Sequence, residues 1–208
     1  MFITLEGPEG SGKTSQIRPL AEFLRQQGYD ILTTREPGGT AIGDQIRAVL
    51  HNLENTAMHP RAESLLFQSA RAQLVAQVIR PQLDRNGIVL SDRFADSTLA
   101  YQGYGHGLPL DELRVIINFA TGGLRPDLTL LLDVDAELGL QRRANGGEWN
   151  RLDAYTLDFH RRVRLGYHQL AAAEPQRWVI VDAGKSSKSV QEVLRQVVLA
   201  RLSLGKIP

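Results

Sequence analysis

The chain holds 208 residues, with 24 Lys and Arg against 23 Asp and Glu and no cysteine. A hydrophobic share of 42% over that length is enough for one domain with a real core and excludes disorder as the main state. The near-neutral charge argues against a nucleic-acid coat, and the missing cysteines exclude disulfides, thiolate catalysis and cysteine metal sites while fitting a cytoplasmic protein.

In chain order, the first run is "FITLE" (2–6), which reads as a strand. It follows Met1 without a basic leader, so no signal peptide is expected. No later run approaches the ~20 apolar residues that span a bilayer, so no membrane partner is expected either. Next comes "GPEGSGKTS", in which Gly7, Gly12, Lys13 and Thr14 fit G-x-x-x-x-G-K-[ST], the P-loop. The physics asks for this composition. Glycines at 7, 10 and 12 let the loop through Pro8, Glu9 and Ser11 turn successive N–H groups, which Pro8 itself lacks, toward an anion. A helix over 13–27 adds its positive end, Lys13 a charge for the outer phosphates, and Thr14 a hydroxyl for Mg²⁺. A glycine turn that binds nothing leaves Lys13-Thr14 unexplained. The loop specifies a nucleoside triphosphate but not the acceptor, which at this point is water, a protein or a small molecule.

A second strand, "YDILTT" (29–34), leads into "REPGG", a shaped loop carrying Arg35, Glu36 and Pro37, with Arg47 on the helical segment beyond. Helical spacing over 61–85 sets Phe67 and Arg71 four residues apart on one face, either as a ring and guanidinium for a ligand or as a core Phe beside a surface Arg. The third strand, "GIVLSD" (87–92), ends in Asp92, which serves either a magnesium shell through water or a helix cap. Arg93 follows at the open edge of the sheet, where a planar fork suits a phosphate. Helical patterns at 110–121, 153–173 and 187–203 and strands "DLTLLLDV" (127–134) and "RWVIVDA" (177–183) complete the alternation. It predicts an α/β fold, a five-stranded parallel sheet with helices on both faces, in a single domain. The polar, arginine-rich break "RRANGGEWNR" (142–151) reads as a mobile loop or a plain surface turn.

Four segments, "FITLEGPEGSGKTSQ", "TTREPGGT", "SDRFADSTLAYQGYG" and "LRPDLTLLLDV", together resemble the bacterial thymidylate kinases, in order and spacing as well as wording. The resemblance runs from Phe2 to about Val181. It implies a P-loop kinase core with strand order 2-3-1-4-5, a homodimer packed through helices, and a reaction in which ATP and dTMP give ADP and dTDP, with Mg²⁺, on the way to dTTP. It further implies that Arg93 binds the dTMP phosphate, Glu9 lies near the sugar and acceptor phosphate, and Phe67 stacks on thymine. Arg71 and Gln102 would meet the base edge, Thr98 would lie close to the base, and Tyr101 would close the sugar side. Arg47 and the Arg35-Glu36-Pro37 loop would hold the monophosphate end. Ala183 and Gly184 in "VDAGKS" would pack on adenine.

In this family an arginine for the transferred phosphoryl group comes from the P-loop or from a lid. Here Glu9-Gly10-Ser11 supplies no base, so the lid, about 142–153, is the expected source, with Arg142, Arg143 and Arg151 as candidates and Arg151 favoured. Ala144, Asn145, Gly146 and Gly147 stand where some relatives carry further arginines, so the division of labour among the three stays open. Asp153 and Tyr155 resemble lid-edge residues. Two other readings stay in view: a kinase for another nucleoside monophosphate, and a P-loop ATPase or switch protein.

Overall fold

Five short strands carry the architecture, the three central ones buried almost throughout and the two edge strands only in part. The computed structural model describes residues 1–146 and 149–204. β1 (Phe2–Glu6), β2 (Ile31–Arg35), β3 (Ile88–Asp92), β4 (Leu128–Asp133) and β5 (Trp178–Asp182) form one parallel sheet in the order β2-β3-β1-β4-β5. That is the order expected from the resemblance. The central strand β1 is buried along its whole length between β3 and β4. Its side chains alternate. Ile3 and Leu5 join Leu130, Leu132, Leu20 and Leu194 on one face, where α1 (Lys13–Gln26) and α9 (Ser187–Leu204) pack. Phe2 turns to the other face with Val89 and Phe94, its ring edge-on to that of Phe94 at 4.8 Å. Burying each such side chain contributes roughly 1.5–3 kcal/mol.

The second face is covered by α3 (Pro60–Leu74), α6 (Leu110–Thr121) and α8 (Leu157–Ala173), with α2 (Ala41–His51) packed on α3. The helix expected over 61–85 is not uniform. After α3 a π-helical turn, Val75–Ile79, precedes α4 (Arg80–Asp84). Pro81 supplies the reason, since it has no N–H to continue the ladder. A similar widening follows α5 (Ala95–Thr98), where Leu99–Gly105 is π-helical. That stretch carries Tyr101 and Gln102.

The polar break over 142–151 is only partly a loop. α7 (Ala136–Gly146) carries Arg142 and Arg143 on a helix, and the segment from Trp149 leads to Thr156, whose side chain caps α8 by accepting from the Phe159 N–H at 3.3 Å. Gly147 lies outside the described residues. Two glycines let α7 sit directly on the P-loop: a Cβ on Gly10 would strike the Gly139 carbonyl, and one on Gly139 the Glu9 carbonyl.

Candidate active site

All five strands end at the same side, and that side holds a cavity of about 500 Å³. The end of β1 and the start of α1 make its floor. Gly7, Gly10 and Gly12 take φ values of 148°, 67° and 86°, which curl the loop. Lys13 Nζ donates to the Gly7 carbonyl at 3.0 Å, the Pro8 carbonyl at 2.9 Å and Ser11 Oγ at 3.0 Å, so its charge is held inside the loop. Burial and the neighbouring Arg93 bring Lys13 down to about 8. Thr14 Oγ1 donates to Asp92 at 2.6 Å, joining the first helix to the end of β3.

Arg93 follows Asp92 with φ 69°, the left-handed region, which costs a non-glycine residue of order 1–3 kcal/mol. The turn throws its side chain beneath the P-loop. There it donates to the Gly7 carbonyl at 3.0 Å, Tyr167 Oη at 3.1 Å, Glu9 at 2.7 Å and Tyr101 Oη at 2.9 Å. Burial pushes Glu9 up, but Arg93 and Lys13 outweigh it and hold the carboxyl at about 2. Glu6, at the buried end of β1, accepts from the Phe94 N–H, Ser97 and Tyr167. Its burial, with Asp96 nearby, pushes it up to about 7. Two carboxyls on one strand-loop unit are thus set apart by whether Arg93 bonds them directly.

One wall comes from α3 and the π-helical turn. Phe67, Thr98, Tyr101 and Gln102 all line the cavity. So do Glu9, Arg35, Glu36, Pro37, Arg47 and Asp92. Arg35 is tied to Asp44 at 3.1 Å and Arg47 to the Pro37 carbonyl at 2.9 Å, which holds the "REPGG" loop against α2. The far wall is α7, through Arg142 and Arg143. Arg142 donates to the Ala183 carbonyl at 2.8 Å and the Gly184 carbonyl at 3.4 Å, closing that end. Arg143 donates to both Asp153 oxygens at 3.1 Å.

Two arginines expected here stand behind the lining. Arg71 is 1% exposed, and its five N–H groups are all used. They reach Glu36 at 2.6–3.1 Å, Gln68 at 2.7 Å, Thr98 at 3.0 Å and the Phe94 carbonyl at 3.1 Å. Arg151 is likewise buried, donating to the Leu50 carbonyl at 2.9 Å, Tyr155 at 2.7 Å and Glu63 at 2.5 Å.

Sequence reasoning missed Glu63, Glu6, Tyr167 and His51. Glu63 is fully buried and also accepts from Gln102 at 2.7 Å and Tyr155 at 3.0 Å. A signal for it existed: it precedes Phe67 by one helical turn and shares its face. Glu6 is the one charged residue in a fully buried strand, also a readable sign. His51 lines the cavity, and burial with Arg47 beside it brings it down to about 4. Nothing local in the sequence marks Tyr167, a buried aromatic on α8.

Comparison with known proteins decides the family. The thymidylate kinase family model matches residues 5–194. The chain belongs to the thymidylate kinase family. The thymidylate kinase of Roseiflexus sp. (strain RS-1) is 53% identical over 210 residues, covering 95% of this chain and 93% of its own. That of Deinococcus radiodurans is 49% identical over 201 residues, 97% of each. Among solved structures, the thymidylate kinase from Ehrlichia chaffeensis superposes with a TM-score of 0.77 at 32% identity, over 95% of this chain and 98% of that one. Thymidylate kinases are phosphotransferases, so this cavity belongs to a nucleotide-binding enzyme rather than to a switch protein. No helix among the described residues is long and apolar enough to cross a membrane.

Proposed function

We propose that this chain transfers the γ-phosphoryl group of ATP to dTMP, giving ADP and dTDP. One observation carries the reading: a single cavity joins Lys13 of the P-loop to Phe67, Arg93, Thr98, Tyr101 and Gln102. The triphosphate sits over the loop N–H groups and Lys13, with adenine toward Arg142, Ala183 and Gly184. The monophosphate lies toward Arg93, flanked by Arg35, Arg47 and the Glu36-Pro37 turn. Its base stacks on Phe67 and meets Gln102 and Thr98. Arg71, behind Thr98, braces that wall. Tyr101, fixed by Arg93 and by Glu9 at 2.8 Å, packs against the sugar.

Phosphoryl transfer needs positioning and charge neutralisation more than covalent help. The two anions meet between fixed cations, Lys13 on one side and Arg93 on the other, and that preorganisation lowers the barrier. Of the lid arginines that line the cavity, Arg142 is turned to the Ala183 and Gly184 carbonyls and Arg143 is held by Asp153, whereas Arg151 lies behind the lining on Glu63. Arg143→Ala is therefore expected to lower kcat more than it weakens ATP binding, with Arg151→Ala acting mainly on lid placement. Steady-state kinetics with ATP titrations separates the two.

The residues present fit a magnesium ion. Thr14 Oγ1 and Asp92 stand together on the cavity floor, and among the described residues no cluster of three or more His, Asp or Glu forms an all-protein cage. Magnesium keeps waters and takes few protein ligands beside phosphates. Thr14 would hold it directly and Asp92 through water, and it would supply charge neutralisation on the phosphate oxygens.

A substrate panel tests the reaction. dTMP is expected to give the highest kcat/KM, with dUMP next. If dAMP, dCMP or dGMP outran dTMP, the acceptor assignment would fail, and ATP hydrolysis without dTMP binding at millimolar concentration would favour an ATPase.

We also propose a homodimer through α2, α3 and α6, which pack side by side. Phe119 and Val115 on α6 are 89% and 69% exposed, a turn apart, and Leu65 on α3 is 57% exposed. Apolar surface of this kind needs a cover. Phe119→Glu is expected to shift the protein to monomer in analytical ultracentrifugation. An unchanged sedimentation coefficient would remove α6 from the interface.

A further inference from the structure

Glu63 is fully buried, yet its two oxygens face different parts of the molecule. Oε1 accepts from Gln102 Nε2 at 2.7 Å, with His106 Nε2 3.4 Å away. Oε2 accepts from Arg151 at 2.5 Å and Tyr155 Oη at 3.0 Å. Gln102 and His106 belong to the turn beside the cavity, whereas Arg151 and Tyr155 belong to the segment that leads from α7 to α8. Burial pushes the Glu63 carboxyl up, but His106, Arg151 and Gln102 outweigh it and hold it at about 2. It is therefore an acceptor at every working pH.

An acceptor at that place settles which way Gln102 points. A carboxamide carries a donor end and an acceptor end. With Nε2 committed to Glu63, Oε1 is the end left for the cavity that Gln102 lines, and among the described residues it takes no hydrogen bond. A base with N–H at ring position 3, as in thymine or uracil, gives that oxygen a donor. Cytosine has a lone pair at the same place, so two acceptors would face each other in a buried site. Sites built to bond an N–H reject analogues that lack it, because the site's own polar group is left unpaired.

We propose that Glu63 is a positioning residue for specificity: one oxygen locks Gln102 with its carbonyl toward the base, and the other anchors the lid segment through Arg151 and Tyr155. Base recognition and lid placement then share one buried carboxylate. The inference rests on the reading of the cavity as a pyrimidine monophosphate site.

Glu63→Gln keeps the shape but can donate to Gln102 and let its amide turn over. Turnover of dTMP and dCMP is measured for wild type and variant, alongside thermal melting. The ratio of kcat/KM for dTMP over dCMP is expected to fall ~10–100-fold in Glu63→Gln. Trp149, 42% exposed in the lid segment, reports the second half; the other tryptophan, Trp178, is buried and gives a steady background. Its emission change on adding dTMP with a non-hydrolysable ATP analogue is expected to shrink in Glu63→Gln and in Tyr155→Phe. Tyr155→Phe removes a hydroxyl bonded to Oε2 and Arg151, leaves Oε1 and Gln102 alone, and is expected to keep the wild-type dTMP-to-dCMP ratio. A folded Glu63→Gln with the wild-type ratio overturns the proposal. Should that variant not fold, the wild-type protein crystallised with dTMP decides: Gln102 Nε2 on Glu63 supports it, and Nε2 on the base overturns it. Failure of the functional reading looks different, since wild type itself would then not prefer dTMP.

Discussion

Arg71→Ala is expected to cost about 3–5 kcal/mol of stability, the range for breaking a buried ion pair by removing one partner. Glu36 is 6% exposed and would lose the cation it is paired with. Gln68 and Thr98 would lose a donor as well. For a chain of this size the melting temperature should fall by roughly 6–20 °C. The loss should also depend on pH, with a definite sign. Burial already lifts Glu36 above its ordinary range, even with Arg71 beside it. Without Arg71 it rises further, so the folded variant holds a proton that the unfolded chain releases as pH rises. Stability of the variant therefore falls with rising pH above the unfolded carboxylate range, and the deficit is smaller in acid. Because Thr98 lines the cavity, KM for dTMP should rise too. Calorimetry of wild type and variant across pH checks this. A loss under ~1 kcal/mol would mean that Arg71 is free to serve the ligand directly, and a double change to Glu36→Leu with Arg71→Met should recover much of the stability.

The same pair shows where the sequence stops being legible. Short-range rules succeeded. Continuous apolar runs located all five strands, and the P-loop glycines needed only their spacing. The face shared by Phe67 and Arg71 was readable too, but not where a long guanidinium ends. Arg71 finds Glu36 across 35 positions, and Arg151 finds Glu63 across 88. Such pairings are made by the fold, so an arginine pointing at a site and one bracing it from behind look alike in one dimension. The segment over 142–151 misled for a different reason. Its glycines suggest a loop, yet Arg142, Arg143 and Ala144 are good helix formers, and α7 continues to Gly146. Packing of Gly139 on the P-loop holds that helix in place. Glu63 was overlooked because an acid on a helix is ordinarily a solvated one, and only its four partners reveal otherwise.

Lys13→Ala should separate catalysis from folding and from acceptor binding. Lys13 is the cation at the donor end, and the interaction it makes grows as charge moves onto the transferring group. Its removal is expected to lower kcat by at least ~10²–10³-fold, the range for losing one preorganised electrostatic partner. The fold should tolerate the change. Burial and Arg93 hold Lys13 down at about 8, so its charge is a liability to the unliganded protein rather than a support. Of the carbonyls it leaves, that of Gly7 still accepts from Arg93 at 3.0 Å. The melting temperature should therefore stay level or rise. Acceptor affinity should also hold, because Arg93 is fixed by Glu9 at 2.7 Å and Tyr101 at 2.9 Å without help from Lys13. Titration calorimetry with dTMP, alongside single-turnover kinetics, distinguishes the cases. If dTMP affinity dropped in step with kcat, the two ends of the cavity would be coupled through the Glu9 side of the loop. Lys13 would then belong to the acceptor site as much as to the donor.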